Sequence, residues 1–466
     1  MDKDLIIIGG GPGGYVAAIR AAQLGASVCI VEMDKMGGTC LNRGCIPTKA
    51  LYRNAEILHT MERLDEFGIK SGEYTIDVEK IQQRKNGIVT QLRNGVEHLL
   101  KGNGIETVAG KAEFKDANTL IVKLQDGTER EITAKNIIIA TGSVPTIPDI
   151  PGIHLKNVIT TDELLEFDHV PESMAVVGGG TVGVEFAGIF SAMGTKVSVV
   201  IKYPMVLRKL DTEMIKRLTA TFKNRGIDVV GKVKVQRIEQ IGDMLSVVVL
   251  DETGQEGCVD AETVLLSIGR RPLIEGLNLD RIGVDYDSKG VKHGESYQTN
   301  IKNIYAIGDV TGEWMLAHVA SEQGIIAVES IMGVGGHREL GAVPNCVFSF
   351  PEIATTGLTE EEVKEAGADY KVGKFLFAAN GKALSLGEKD GFVKIITTMD
   401  DEIIGVHIFG AHASDLIHEG VLAINQKLKI KDILHTIHAH PTLGECFSEA
   451  AMAVNEISIH SAPKKR

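Results

Sequence analysis

The alternation of apolar runs with polar, glycine-rich turns predicts an α/β fold. Residues 5–8 are apolar, a glycine-rich turn follows at 9–14, an alanine-rich helical pattern extends to Leu24, and residues 28–31 are apolar again. The same order of apolar run, glycine turn, helical pattern and apolar run returns over residues 174–201. Two such units in one chain predict two sheets of the kind that bind dinucleotides.

The rest of the pattern divides the chain further. Residues 50–108 carry apolar stripes at helical spacing, and the short apolar runs after residue 343 are typical of antiparallel strands. Pro145, Pro148 and Pro151 mark a boundary. We predict two Rossmann-like domains and a C-terminal α+β domain. The predicted ranges are 1–147 and 272–342 for the two parts of the first domain, 148–271 for the second and 343–466 for the third.

Composition narrows the classes of protein to consider. The net charge of −13 disfavours nucleic acid and anionic membranes as partners. No apolar run approaches the roughly 20 residues of a membrane helix, and no signal-peptide pattern precedes the first predicted strand. Six cysteines in 466 residues are too few for a secreted disulfide scaffold. We therefore expect a cytoplasmic protein without a nucleic-acid or membrane partner.

Cys40 and Cys45 are the strongest candidates for redox chemistry. They lie five positions apart, and a regular helix would separate their Cα atoms by more than the roughly 4.4–6.8 Å of a disulfide. Gly44 and Pro47 would loosen that helix, since proline in a helix interior removes one backbone hydrogen bond. Lys49, one turn beyond Cys45, could stabilise a thiolate. We predict a disulfide that opens and closes in each turnover.

The first glycine turn carries the complete fingerprint of a dinucleotide site. Gly9, Gly11 and Gly14 have the spacing that lets backbone N–H groups approach a pyrophosphate at the start of a helix. Glu32 closes the second predicted strand, where an acid accepts hydrogen bonds from ribose hydroxyls. A plain glycine-rich turn is the alternative, but the acid at that position favours a nucleotide.

The second glycine turn lacks the closing acid. Its glycines are Gly178, Gly180 and Gly183. The strand that follows ends in Ile201, with Lys202 next and Arg208 six positions further on. An acid would bind a bare 2′-hydroxyl, whereas cations favour a 2′-phosphate. The alternative is that Lys202 and Arg208 are ordinary solvated charges, but the missing acid favours an NADP-type site.

A second chemical group lies near the C-terminus, within residues 438–445. Histidine exchanges protons near neutral pH, and a carboxylate partner fixes its tautomer. The five-residue offset from His440 to Glu445 suits such a pair, and thiol–disulfide exchange needs a base because the thiolate is the attacking species. A zinc site is the alternative, but His438 and His440 have no third and fourth ligand nearby in the sequence. We predict a proton-transferring dyad and no metal.

Together these motifs resemble the flavin disulfide oxidoreductases over essentially the whole chain. The segments that carry the resemblance are residues 37–49, both glycine turns, 140–142, 308–309 and 440–445. The resemblance implies FAD at the first turn, a nicotinamide nucleotide at the second, and a C-terminal interface domain. It also implies a homodimer in which the histidine of one subunit completes the site of the other. Cys45 would face the flavin and Cys40 the dithiol substrate.

The resemblance further implies which residues hold each cofactor. The FAD contacts would be Gly9, Gly11, Gly14, Glu32, Gly38, Thr39, Lys49, Gly110, Thr141, Gly142, Ser143, Asp309, Met315, Leu316, Ala317 and His318. The nicotinamide nucleotide contacts would be Gly178, Gly180, Gly183, Glu185, Ile201, Lys202, Arg208, Val233 and Gly269. Glu185 would pair with Lys49 beside the reactive edge of the flavin ring.

Within this family the chain is similar to the members that oxidise dihydrolipoamide. That similarity implies oxidation of dihydrolipoamide, free or on a lipoyl-bearing protein, with NAD(P)⁺ as acceptor, in a 2-oxoacid dehydrogenase, acetoin or glycine-cleavage system. Ile201 departs from the pattern, because these members usually carry Glu there. Lys202 and Arg208 instead resemble the NADP(H) pattern of the glutathione reductases, so NADP is favoured over NAD. An NADPH-dependent reductase of a small disulfide and a non-catalytic structural subunit are the alternatives.

Overall fold

The computed structural model describes residues 1–334 and 340–462. The first elements are β1 (Lys3–Ile8), α1 (Pro12–Gln23), β2 (Val28–Glu32), α2 (Gly38–Arg43), α3 (Cys45–Met61), α4 (Val78–Gly102), β3 (Glu106–Asp116), β4 (Thr119–Leu124), β5 (Glu129–Ile139) and β6 (Ser143–Pro145). β1 pairs in parallel with β2 and β5, and β2 pairs in parallel with β3. Residues 5–8 of β1 and 28–31 of β2 are buried runs of Ile, Leu, Val and Cys, as is typical of central parallel strands.

The remaining halves of β3 and β5 pair with β4 in an antiparallel sheet. A hairpin turn at Asp126-Gly127 joins β4 to β5. The predicted helical region after residue 50 is interrupted, because residues 68–77 are non-helical between α3 and α4. The helical pattern therefore predicted both helices but not the connection between them.

A second unit repeats the parallel arrangement. Its elements are β7 (Val158–Ile159), α5 (Thr161–Leu164), β8 (Ser173–Val177), α6 (Thr181–Ala192), β9 (Lys196–Val200), α7 (Thr212–Asn224), β10 (Asp228–Val230), β11 (Val233–Ile241), β12 (Met244–Asp251), β13 (Glu256–Ala261), β14 (Thr263–Leu266) and β15 (Arg270–Pro272). The parallel strands lie in the order β10-β9-β8-β14-β7, and β11, β12 and β13 form an antiparallel sheet. β15 pairs with β6, where the chain crosses back.

After β15 the chain returns to the first sheet. The elements there are α8 (Leu279–Ile282), β16 (Tyr286–Asp287), β17 (Gly290–Val291), β18 (Ile304–Ala306) and α9 (Ala317–Ile331). β18 pairs in parallel with β5, so the strand order becomes β3-β2-β1-β5-β18. α9 packs on α1 so closely that a Cβ on Gly324 would lie 2.7 Å from the Gly13 carbonyl oxygen. The domain boundaries themselves stay a prediction.

The C-terminal part forms an antiparallel sheet covered by helices. Its elements are β19 (Asn345–Val347), β20 (Ile353–Gly357), α10 (Glu360–Glu365), β21 (Tyr370–Leu376), α11 (Gly381–Leu386), β22 (Phe392–Thr398), β23 (Ile403–Phe409), α12 (Ala413–Asn425), α13 (Ile430–Leu434) and α14 (Glu445–Val454). The strand order is β19-β20-β23-β22-β21. The predicted α/β fold class, with an α+β C-terminal domain, is confirmed. Across the described residues, none of the helices is both long and apolar enough to cross a membrane.

Candidate active site

The two cysteines lie on either side of a break between two helices. Cys40 lies within α2, Cys45 begins α3, and the two form a disulfide with Cα atoms 4.7 Å apart. Gly44 makes the break, because its φ of −140° and ψ of −114° leave the helical region. A Cβ at this position would lie 2.9 Å from the Thr39 carbonyl oxygen. The predicted disulfide is confirmed.

The predicted loosening of the helix by Pro47 is wrong. Pro47 lies in the first turn of α3, where a backbone N–H has no intrahelical acceptor, so the proline removes no helical hydrogen bond. α3 continues without a break to Met61. Gly44 therefore brings the cysteines together, and Pro47 only helps to start the second helix.

Lys49 connects the helix of the disulfide to the second unit. Its Nζ donates to both oxygens of Glu185 in α6, at 3.0 and 2.8 Å, so the predicted pair is present. Glu185 is buried and also accepts the backbone N–H of Phe348 at 3.0 Å. The Phe348 ring lies beneath the Lys49 ammonium, 4.3 Å from Nζ to the ring centroid. The first unit, the second unit and the C-terminal part of the chain therefore meet at this ion pair. No local sequence signal predicts the contact of Phe348 with it.

The first glycine turn leaves the start of α1 open to an anion. Gly9 has a φ of +109°, and a Cβ there would lie 2.2 Å from the Ala140 carbonyl oxygen. A Cβ on Gly38, at the start of α2, would lie 2.6 Å from the Cα of Gly11. Within the described chain, no side chain caps α1 and no acid lies in its first turn. The backbone N–H groups of this turn therefore remain available to a phosphate.

Glu32 lies beside this turn, at the end of β2. One carboxylate oxygen accepts the Gly10 N–H at 2.6 Å and the other accepts the Asp34 N–H at 2.8 Å. Burial raises the pKa of Glu32. The carboxylate thus orders the glycine turn itself, and its predicted contact with a ribose stays a prediction.

A chain of side-chain hydrogen bonds leads to Asp309 at the end of the first sheet. The Arg270 guanidinium donates to the Ser143 hydroxyl oxygen at 2.8 Å, and that hydroxyl donates to Asp309 at 2.6 Å. Burial raises the pKa of Asp309. The sequence prediction included Ser143 and Asp309 but missed Arg270, although Arg270 directly follows the predicted contact Gly269.

The other predicted FAD contacts lie in several different elements. Gly38 and Thr39 are in the first turn of α2, Thr141 Oγ1 donates to the Leu273 carbonyl at 2.6 Å, and Gly142 has a φ of +73°. Met315 and Leu316 precede α9, which begins at Ala317 and His318. Gly110 lies in β3, where a Cβ would be 2.6 Å from the Lys123 carbonyl oxygen, so strand packing alone accounts for that glycine.

The second glycine turn matches the first in backbone geometry. Gly178 has a φ of +120°, and a Cβ on Gly183 would lie 2.1 Å from the Gly178 carbonyl oxygen. Gly180 precedes α6, and within the described residues no side chain caps that helix. A Cβ on Gly180 would meet only open space. The start of α6 is therefore a second place where a phosphate could bind backbone N–H groups.

The predicted specificity residues lie just beyond β9. Ile201 is 5% exposed and packs beneath the glycine turn, and Lys202 and Arg208 are exposed. The Arg208 guanidinium lies 4.3 Å from the centroid of the Tyr203 ring. The N–H of Val233, the first residue of β11, donates to the Ile201 carbonyl at 3.2 Å. These contacts place the two cations beside the glycine turn but do not favour NADP over NAD.

His440 and Glu445 form the predicted dyad. His440 Nδ1 lies 2.8 Å from one oxygen of Glu445, the first residue of α14, whose other oxygen accepts the Thr442 N–H at 2.9 Å. Burial opposes ionisation of Glu445, but the hydrogen bonds from Thr442 and His440 outweigh it and lower its pKa. With Nδ1 held, the ring presents Nε2 to a substrate. The His440 side chain is 79% exposed, and no hydrogen bond or ion pair joins it to the disulfide within the described chain.

A second buried carboxylate, Glu449, lies one turn further along α14. It accepts the backbone N–H groups of Ile459 and His460, both at 3.2 Å, and the Ser458 hydroxyl at 2.5 Å. His460 Nδ1 lies 2.7 Å from its other oxygen. Glu449 therefore holds the segment 458–460 against the helix that begins at Glu445. Glu449 was not predicted from the sequence, because only its spacing of four from Glu445 could have placed it on the same helix face.

The fold and site define a class of protein. The chain belongs to the pyridine nucleotide-disulphide oxidoreductase family, which matches residues 3–324, and the dimerisation domain of that family matches residues 343–451. The predicted resemblance is thereby confirmed.

Particular relatives are similar over nearly the whole chain. The dihydrolipoyl dehydrogenase of Bacillus subtilis is 42% identical, across 98% of this chain and 99% of the relative. The dihydrolipoamide dehydrogenase of Chaetomium thermophilum is 40% identical, across 98% of this chain and 92% of the relative. The dihydrolipoyl dehydrogenase of Geobacillus stearothermophilus is 40% identical, across 100% of this chain and 98% of the relative.

Proposed function

We propose that this chain oxidises dihydrolipoamide to lipoamide and passes the electron pair, by way of FAD, to a pyridine nucleotide. The observation that carries the proposal is the Cys40–Cys45 disulfide, which lies at the start of the helix whose Lys49 binds Glu185 of the second unit. The names of the relatives support the substrate, because those proteins are dihydrolipoyl or dihydrolipoamide dehydrogenases. The lipoyl group could be free or carried by a protein.

The residues at the first glycine turn fit FAD. The start of α1 offers backbone N–H groups with no side-chain cap in the described chain, which suits a pyrophosphate. Gly11 and Gly38 let two backbone segments approach closely there, and the half-buried Asp309 can accept a hydrogen bond from a ligand hydroxyl. When bound, FAD would supply a two-electron acceptor for the reduced cysteine pair.

The chain's own residues account for the thiol chemistry. His440, held by Glu445, takes a proton from one thiol of dihydrolipoamide. The resulting thiolate attacks Cys40 Sγ, so that a substrate–Cys40 bond forms, the Cys40–Cys45 bond breaks, and Cys45 leaves as a thiolate. The second substrate thiol attacks the substrate sulfur of that mixed disulfide, the substrate–Cys40 bond breaks, and the proton of that thiol passes to the leaving Cys40 sulfur, which releases lipoamide and a Cys40 thiol. Two electrons then reside on the cysteine pair.

The homodimer is part of the proposal. A dimerisation domain covers residues 343–451, and the His440 side chain is largely exposed at its surface. Within the described residues, no hydrogen bond or ion pair joins His440 to the disulfide of its own chain. A second copy of the chain would bring a proton acceptor to the substrate. In this arrangement the dyad of one subunit serves the cysteines of the other.

We propose NADP as the preferred nucleotide, because of the residues that follow β9. The absence of an acid at Ile201 and the exposed charges of Lys202 and Arg208 support it. The same cations favour a second candidate function, an NADPH-dependent reductase of a low-molecular-weight disulfide.

Steady-state assays of the purified, FAD-loaded protein test both functions. Rates should be compared for lipoamide and glutathione disulfide, each with NADH and with NADPH. The proposal expects turnover of lipoamide and negligible turnover of glutathione disulfide. Turnover of glutathione disulfide without lipoamide activity would contradict the proposal and favour the second candidate.

A further inference from the structure

A buried ion pair joins the second unit to the C-terminal sheet. Lys394 in β22 is 3% exposed, Asp211 before α7 is fully buried, and Lys394 Nζ lies 2.7 Å from an Asp211 oxygen. Glu360, at the start of α10, brings a second carboxylate to 2.5 Å from the same ammonium. Burial alone would lower the pKa of Lys394, but hydrogen bonds to Asp211 and Glu360 outweigh it and raise the pKa. Charges this deeply buried persist only when paired.

Asp211 also ends the segment 201–210, which connects β9 to α7. Its other carboxylate oxygen accepts the Glu213 N–H at 3.1 Å, so Asp211 caps α7 and ends the segment 201–210. At the opposite end this segment begins directly after β9. Along its length it is tied to the glycine turn, because the Leu207 N–H donates to the Gly179 carbonyl at 2.8 Å. Other backbone hydrogen bonds join Ile201 and Tyr203 to the second unit, so the ion pair of Asp211 adds a contact with the C-terminal sheet at the far end of the segment.

The exposed cations proposed for the second nucleotide site lie within the segment 201–210, between β9 and Asp211. Lys202 and Arg208 project from the segment, and Arg208 stacks on Tyr203, 4.3 Å from the ring centroid. Neither cation takes part in the ion pair that fixes the end of the segment. Their position relative to the start of α6 therefore depends on where the backbone is held.

We propose that Asp211 and Lys394 form a positioning pair for the pyridine nucleotide, by which the C-terminal sheet holds the segment 201–210 against the second glycine turn. The inference rests on the proposed function only in placing a pyridine nucleotide at that turn. Neither residue touches the cysteines or the dyad, so the pair affects nucleotide binding and not the thiol chemistry.

Asp211→Asn tests the pair without removing its neighbours. Asparagine still caps a helix, and Lys394 keeps Glu360 as a partner, so we expect the variant to fold, which its thermal unfolding and flavin content check. The matched control is Glu213→Gln, which removes the same charge two residues later, where Glu213 pairs with Lys374 in a partly exposed position.

Calorimetry with NADPH and with NADH measures nucleotide affinity, and steady-state kinetics show whether the thiol chemistry also changes. In Asp211→Asn we expect the Kd and KM for the preferred nucleotide to rise about tenfold, with kcat and the lipoamide KM within about twofold of wild type. In Glu213→Gln, the nucleotide Kd and KM, the kcat and the lipoamide KM should all stay within about twofold of wild type.

Two results would overturn the inference. One is equal nucleotide affinity in Asp211→Asn and Glu213→Gln. The other is an equal loss for nucleotide and lipoamide in Asp211→Asn, which would indicate a general structural role. A wild-type protein that binds nucleotide but does not oxidise dihydrolipoamide would contradict the proposed function, yet the comparison of affinities, and with it this inference, would stand.

Discussion

Lys49 Nζ donates to both carboxylate oxygens of Glu185, and this pair joins the helix that begins at Cys45 to the helix that begins at the second glycine turn. The two helices belong to the two nucleotide-type units of the chain. The ion pair therefore fixes the distance between the cysteine pair and the proposed nucleotide site.

Glu185→Gln should lower kcat for lipoamide by about 100-fold, because a neutral amide holds Lys49 less firmly and small misplacements at a reacting centre are costly. Flavin content and kcat are the quantities to measure. Glu56→Gln, which removes the partner of Arg53 in the helix that carries Lys49, is the control and should match wild type. Equal rates for Glu185→Gln and Glu56→Gln would show that the pair has no role in turnover.

Cys45→Ser should abolish lipoamide turnover while the protein keeps its flavin, since serine occupies the same space but forms no disulfide. Absorbance of the purified variant reports the flavin, and steady-state assays report turnover. Cys258→Ser, which removes an exposed cysteine of the second unit, should behave as wild type. Substantial lipoamide activity in Cys45→Ser would refute the thiol relay.

His440→Gln should lower kcat/KM for dihydrolipoamide by about 10²–10⁴-fold, the usual contribution of a general base. Glu445→Gln should show a smaller loss, because the histidine remains but its orientation is less well fixed. The low pKa of Glu445 keeps its carboxylate ionised at neutral pH. The control is His169→Gln, an exposed histidine of the second unit that also lies between carboxylates. Similar losses in all three variants would contradict a specific role for the dyad.

Ile201→Glu should lower the ratio of NADPH to NADH efficiency by about tenfold or more, because a carboxylate beside the glycine turn repels a 2′-phosphate and accepts from a 2′-hydroxyl. Ile201→Leu keeps the position apolar and should leave the ratio unchanged. kcat/KM for each nucleotide with lipoamide gives the ratio. If Glu and Leu at position 201 give the same ratio, the specificity assigned to this position is wrong.

The ion cluster around Glu360 predicts a specific acid sensitivity. Burial opposes ionisation, but hydrogen bonds from Lys364 and Lys394 lower the pKa of Glu360 from 4.5 to about 2. A depressed carboxylate pKa contributes stability that is fully present above 4.5 and is lost as the pH falls toward about 2. Urea unfolding between pH 6 and that limit should therefore show a smaller pH-dependent loss in Glu360→Gln than in wild type. Glu365→Gln, at the exposed end of the same helix, should follow wild type, and parallel curves for all three proteins would contradict the prediction.

The parts of the fold that local chemistry determines could be predicted from the sequence. Gly9 and Gly178 mark turns that need positive φ, and both occur where the pattern places them. The capping box of Thr359 and Glu362, which begins α10, is a local signal of the same kind. Pro47 shows the limit of such patterns, because its effect depends on whether it falls in the first turn or the interior of a helix. Pro47 falls in a first turn because Gly44 ends the preceding helix, so that a new helix begins at Cys45.

The parts that depend on distant contacts could not be predicted. Asp211 and Lys394 are 183 positions apart, and each looks like an ordinary surface charge in its own stretch of sequence. Phe348 contributes a backbone N–H to Glu185, which any residue type except proline could do. Only the packing of the C-terminal sheet on the second unit makes these residues part of the site.

The most direct test of the central claim is to map thiols before and after reduction by the substrate. The purified protein is incubated without oxygen, with or without dihydrolipoamide, then alkylated and analysed by peptide mass spectrometry, with the exposed Cys258 as an internal control that is labelled in both samples. The account predicts that Cys40 and Cys45 are protected at first and that both become labelled after dihydrolipoamide is added. Unchanged protection of both cysteines in protein that turns over dihydrolipoamide would contradict it.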